Sequence, residues 1–68
     1  MDSQDLLVLF LESKKDELGT QELYELAIKK YAVDSKYDDY EHHIRGLQQV
    51  LANQGLIKNV RRGYWALV

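Results

Sequence analysis

Gly55 divides the second half of this chain into two periodicities, and that change constrains the fold more than any other feature. Before it, Tyr40, Ile44, Leu47 and Leu51 fall within about 60° of one another at helical spacing, with Val50 at the edge. Asp38 as N-cap with Glu41 three positions later resembles a capping box, and Gly55 stands where a C′ glycine closes a helix. After Gly55, "LIKNV" and "YWALV" alternate as two β-strands, with Trp65 and Leu67 on one face. Arg61, Arg62 and Gly63 form the turn between them, where glycine supplies the positive φ of a tight hairpin. A helix handed directly to a hairpin leaves few small folds open.

The first half supplies the remaining elements. Ser3 is the expected N-cap of a helix running through "QDLLVLFLESKK" toward Lys15, with Asp5 in its first turn where the helix dipole favours an acid. The apolar run from Leu6 to Leu11 wraps right around such a helix. Either the helix is central and covered on most sides, or one stripe of it meets a partner; for so small a domain the second is expected. Leu18 forms a one- or two-residue strand, and Thr20 caps a second helix over residues 21–31. Its apolar stripe is Leu23, Leu26, Ala27 and Tyr31, with Tyr24 and Ile28 on the flanks, and "AVDSKY" follows as a loop. Helix, short strand, helix, helix, strand, strand is the order of a winged helix-turn-helix. The expected class is therefore α+β, mainly α: three helices and a C-terminal two-stranded β-wing in one domain over residues 1–68. A chain of this length buries only about 60 % of its unfolded surface, so all the helices must share one core.

Cysteine and proline are both absent, which excludes a disulfide framework and a thiolate zinc site. "LLVLFL" is too short to span a bilayer and lacks the flanks of a signal peptide, so a soluble, cytoplasmic protein is expected. The net charge is −2, yet it is unevenly spread. Residues 1–40 carry ten acids against five lysines, whereas residues 41–68 carry Glu41 against Arg45, Lys58, Arg61 and Arg62. Asymmetry of this kind is expected when one face meets phosphates.

His42, Arg45, Gln49 and Asn53 point away from the apolar stripe of the third helix, with Gly46 and Ala52 beside them. Arginine pairs with guanine O6/N7 and glutamine with adenine N6/N7, and Arg45 and Gln49, four apart, share a ridge that could read neighbouring base pairs. Gly46 would let that helix approach closely. At the wing tip Arg61 and Arg62 would reach phosphates, and Lys58 adds to the patch. The bland counterparts are a solvated helix face and charges that protect a small sheet from edge pairing.

Residues 40–67, "YEHHIRGLQQVLANQGLIKNVRRGYWAL", resemble the end of the winged-helix domain at the N-terminus of Mrr-type restriction endonucleases. The likeness is carried by Glu41 and Arg45, then Leu47 and Leu51, then Gly55-Leu56-Ile57, then Arg62-Gly63-Tyr64-Trp65. It implies duplex DNA binding, with the third helix in the major groove and the wing on backbone or minor groove. The family's strongly basic third helix is missing, and its nuclease activity is not carried over.

Other chemistries find little support. His42 and His43 point about 100° apart on a helix and cannot close one tetrahedral metal site together. No metal, cofactor or small-molecule ligand is expected. Ser3, Ser13 and Ser35 stand in no credible triad, and no glycine-rich phosphate loop occurs, so no enzyme is expected. Tyr31, Tyr40 and Trp65 are expected in the core, which leaves Tyr64 as the one aromatic open to stacking. The function expected is duplex DNA binding, as a small transcriptional regulator or recognition module on the nucleoid, with a homodimer through the apolar first helix. The alternative is a protein-interaction winged helix without DNA binding. Fold alone does not choose between them; what does is whether Arg45, Arg61 and Arg62 make one positive surface or are neutralised by Asp38, Asp39 and Glu41.

Overall fold

The structure is a computed structural model and describes residues 1–31 and 40–68. Helix α1 (Ser3–Glu12), strand β1 (Leu18–Gly19), helices α2 (Thr20–Tyr31) and α3 (Tyr40–Asn53), and strands β2 (Ile57–Arg61) and β3 (Tyr64–Leu67) follow in that order. This is winged helix-turn-helix topology, three helices followed by an antiparallel hairpin. The sheet order is β1-β3-β2, so the last strand lies between the other two. The loop expected at residues 32–37 and the Asp38 cap lie outside the described residues.

Helix α1 is capped one residue earlier than expected. Asp2, not Ser3, is the N-cap: its carboxylate accepts from the Asp5 N–H at 3.0 Å, and the Asp5 carboxylate accepts from the Asp2 N–H at 3.0 Å. A carboxylate at this position satisfies orphan donors and the positive helix end together. The helix also stops short of Lys15. Ser13 is extended, with φ −73° and ψ 141°, and its hydroxyl accepts from the Lys15 N–H at 3.1 Å. A serine that bonds nearby backbone competes with the helix.

Thr20 begins α2 but does not cap it. Its backbone N–H donates to Gly63 O at 3.0 Å, and its hydroxyl meets the Gln48 amide. The capping carboxylate is Glu22, which accepts from the Gly19 N–H at 3.3 Å. At the end of α3 the expectation holds. Gly55 has φ 75°, its N–H bonds Ala52 O at 3.0 Å, and the Leu56 N–H bonds Leu51 O at 3.0 Å. These are the paired bonds of a Schellman motif, in which glycine takes the left-handed conformation without a Cβ penalty.

One core joins the three helices with β1 and β2: Leu6, Leu9 and Phe10 of α1, Leu18 of β1, Leu23 and Ala27 of α2, Ile44 and Leu51 of α3, and Ile57 of β2. Each fully buried Leu or Ile contributes roughly 1.5–3 kcal/mol. Trp65 and Tyr31 pack half-buried against this cluster, whereas Leu26 and Leu67 are exposed. Helix α1 is covered on most sides. Of its six consecutive apolar residues Leu11 alone is exposed, at 64 %, so the expected partner-facing stripe narrows to one side chain.

Helix α3 is rotated about its axis relative to its apolar pattern. At about 100° per residue Gln48 lies about 50° to one side of the Ile44–Leu51 line and Val50 about 110° to the other. Gln48 is 1 % exposed, while Val50 is exposed. The helix thus buries its amide flank and shows its valine, and the Thr20 hydroxyl is what makes that possible. A buried amide without a partner would cost about 1–3 kcal/mol; here Thr20 Oγ1 lies 3.2 Å from Gln48 Nε2 and 3.4 Å from Oε1.

Candidate nucleic-acid interface

The rotation of α3 decides which side chains look outward. His42, Gly46 and Asn53 stand at the centre of the exposed face, with Gln49 and Arg45 on one flank and Val50 on the other. All six are exposed. The four candidates of this helix therefore share one accessible surface. Ala52, expected beside them, is half-buried against the core. Val50, expected at the edge of the apolar stripe, joins the face.

The side chains of that face are already engaged along the helix. Arg45 Nη2 donates to Glu41 Oε1 at 3.1 Å, an exposed pair one turn apart. Gln49 Nε2 donates to Asn53 Oδ1 at 3.0 Å, again one turn apart. Pairs of this kind are worth only about 0.2–0.5 kcal/mol, so a ligand can displace them. His43, on the edge toward the N-terminus, has Nε2 3.1 Å from Met1 O. A Cβ added at Gly46 would meet nothing within 4 Å, so the backbone there is open to a close approach.

The wing differs from expectation in its arginines. Arg61 is the last residue of β2 rather than a turn residue; Arg62 and Gly63 alone form the turn, with Gly63 at φ 78°. The β2–β3 register shifts between Asn59 and Arg61, and the Asn59 amide repairs the irregularity. Its Nδ2 donates to Arg61 O and to Tyr64 O, each at 2.9 Å, tying both strands together at the mouth of the turn.

Arg61 points back across the sheet. Its Nε donates to Glu17 Oε1 at 2.7 Å, and its guanidinium lies over the Tyr64 ring, 3.9 Å from the centroid. Tyr64, the aromatic left open to stacking, is thus occupied by an arginine. Arg62 and Lys58 are exposed and form no ion pair with the described residues. Glu17 was not legible as a site residue, because it precedes β1 by one position and is 44 residues from Arg61. Only the pairing of β1 with β3 brings them together.

A second concavity lies between α1 and α2, floored by Leu9, Leu18 and Leu26. Its rim is bridged by Lys30 on Glu12, at 2.9 Å, and by Lys15 on Glu22. The Lys15 ammonium, donating to Glu22, holds that carboxyl below its ordinary range, and Glu22 in turn raises Lys15. Among the described residues no three His, Asp or Glu side chains gather for a metal ion, and no helix is long and apolar enough to cross a membrane. No protein-family model, curated protein or solved structure matches the chain.

Proposed function

We propose that the chain binds duplex DNA, with the outward face of α3 toward base edges and the wing toward the backbone. The observation that carries this reading is the uncovered α3 face. His42, Arg45, Gln49 and Asn53 offer donors and acceptors suited to base edges, Gly46 permits close approach, and Val50 suits a thymine methyl. Arg62 and Lys58 supply backbone cations, and the likeness of residues 40–67 to Mrr-type winged helices points the same way. With so few cations the binding is weak for one copy. Two to three phosphates neutralised would give a log–log salt slope of about −2 to −3. A homodimer would double the cations; on α1 it would rest on Leu11. Such a chain would act on the nucleoid, as a regulator or as the recognition module of a larger system.

The test is a titration of labelled duplex with the wild type and with the Arg61→Ala/Arg62→Ala variant, at low and at physiological salt. Binding that weakens with salt and with the variant supports the reading. Absence of binding at low salt defeats it.

A second reading, a protein-interaction winged helix, is favoured by one specific observation. Arg45 and Arg61 each hold a carboxylate, Glu41 and Glu17, so the positive surface is interrupted at two of its three arginines. This reading gains if the titration fails at low salt.

A further inference from the structure

The pairing of Arg61 has a consequence for how the wing would meet an anion. β3 is the central strand, with Gly19 of β1 on one side of Tyr64 and Arg61 of β2 on the other. The Tyr64 ring lies against Gly19, where an added Cβ would come within 3.2 Å of Tyr64 Cε1. A side chain at position 19 would require the ring to give by a few tenths of an ångström. The ring is the bed on which the Arg61 guanidinium rests, and Glu17 closes the far end of it. A carboxylate that accepts from a stacked guanidinium presents its oxygens much as a phosphate does.

We infer that Glu17 is an internal competitor for the anion site of the wing, occupying Arg61 with a carboxylate where a DNA phosphate would otherwise sit. The inference rests on the DNA-binding reading and deepens it. Arg62 and Lys58 make the first backbone contacts, and Arg61 joins only when a phosphate displaces Glu17. The arginine is presented in a fixed pose by the tyrosine, so the exchange requires no reorganisation of the sheet. Glu17 thereby lowers affinity for any polyanion and raises the demand that the duplex be positioned correctly at the wing. Both partners are exposed enough for the exchange to occur at the surface, with side chains 62 % and 34 % accessible.

A double-mutant cycle tests this: wild type, Glu17→Gln, Arg61→Ala and the double variant, each titrated with a short mixed-sequence duplex at several salt concentrations. Glu17→Gln is expected to tighten binding about two- to five-fold at low salt, the span of an exposed ion pair. It should also steepen the salt slope by about 0.9, the signature of one added phosphate. Both gains must vanish in the Arg61→Ala background. A gain that persists there is the long-range effect of removing one negative charge, and overturns the inference. Unchanged or weaker binding by Glu17→Gln also overturns it, and makes the pair a strut that fixes the wing. Failure of all four proteins to bind at low salt removes the DNA reading itself, and the inference with it.

Discussion

Removing the hydroxyl of Thr20 should cost far more than its position at the edge of α2 suggests. Gln48 is 1 % exposed, and its amide has Thr20 Oγ1 as its hydrogen-bond partner. Thr20→Val keeps the shape and deletes the partner. The stranded amide then carries a desolvation cost of about 1–3 kcal/mol. A 68-residue domain has a total stability of roughly 3–10 kcal/mol, so the loss is a substantial fraction. At about 4–8 °C per kcal/mol for a domain of this size, Tm should fall by roughly 8–16 °C for a central loss of about 2 kcal/mol.

The second arm of this test distinguishes a lost bond from a lost fit. Thr20→Val with Gln48→Leu removes both polar ends and should restore stability to near wild type, since replacing both partners by apolar groups is nearly neutral. The coupling between the two sites should exceed about 1 kcal/mol. Urea unfolding followed by circular dichroism reads all four proteins. A Thr20→Val loss below about 0.5 kcal/mol, within the range of an ordinary surface substitution, would refute the reasoning. So would single losses that simply add.

Other substitutions separate stability from recognition. Gly46→Ala should stabilise by about 0.5–1 kcal/mol, because the site is mid-helix and its Cβ meets nothing; a calorimetric melt checks this, and weaker duplex binding by the same variant would mark the close approach. Gly63→Ala forces an L-residue to φ 78° and should cost about 1–2 kcal/mol, read as a lower urea midpoint with an unchanged slope. Acid unfolding should involve Glu22, whose depressed pKa gives a contribution present above its ordinary value of 4.5 and lost as pH falls through the lower folded value. Glu22→Gln should flatten that part of the stability profile. At the alkaline end, Lys15, Lys30 and Tyr31 are all raised, so their contributions are complete below about pH 10 and fade as pH rises through the folded values; stability measured across that range should fall.

The elements of this fold were legible because each is marked locally. Gly55 and Gly63 adopt the positive φ that their positions in the sequence imply, and the change from helical to alternating spacing at Gly55 marks α3 and the wing. Cap positions were less legible, since Asp2, Ser3 and Thr20 all have suitable side chains; a reciprocal bond with Asp5 makes Asp2 the cap, and a distant partner, Gln48, takes the Thr20 hydroxyl. The rotation of α3 was hidden for a different reason. Spacing leaves Val50 and Gln48 both at the edges of the apolar stripe, and only the Thr20 hydroxyl, 28 residues away, gives the buried one of the two a polar partner. The exposed candidates on α3 could be found from spacing alone. Their engagement could not: Glu41 with Arg45 is local and readable, but Glu17 with Arg61 depends on the strand order.

Thr20 ties two parts of the molecule to α2 through two atoms, giving its N–H to the carbonyl of Gly63 and sharing its hydroxyl with the amide of Gln48. The wing tip and α3 are therefore two jaws of a caliper set at a fixed opening. A duplex bound as proposed would have to fit that gauge as it stands, because widening it breaks a backbone hydrogen bond or strands a buried amide. The ordering entropy that two loosely hinged arms would lose on contact has already been lost in folding. On the DNA-binding proposal, a duplex of the wrong width would be rejected by shape before any side chain reads it.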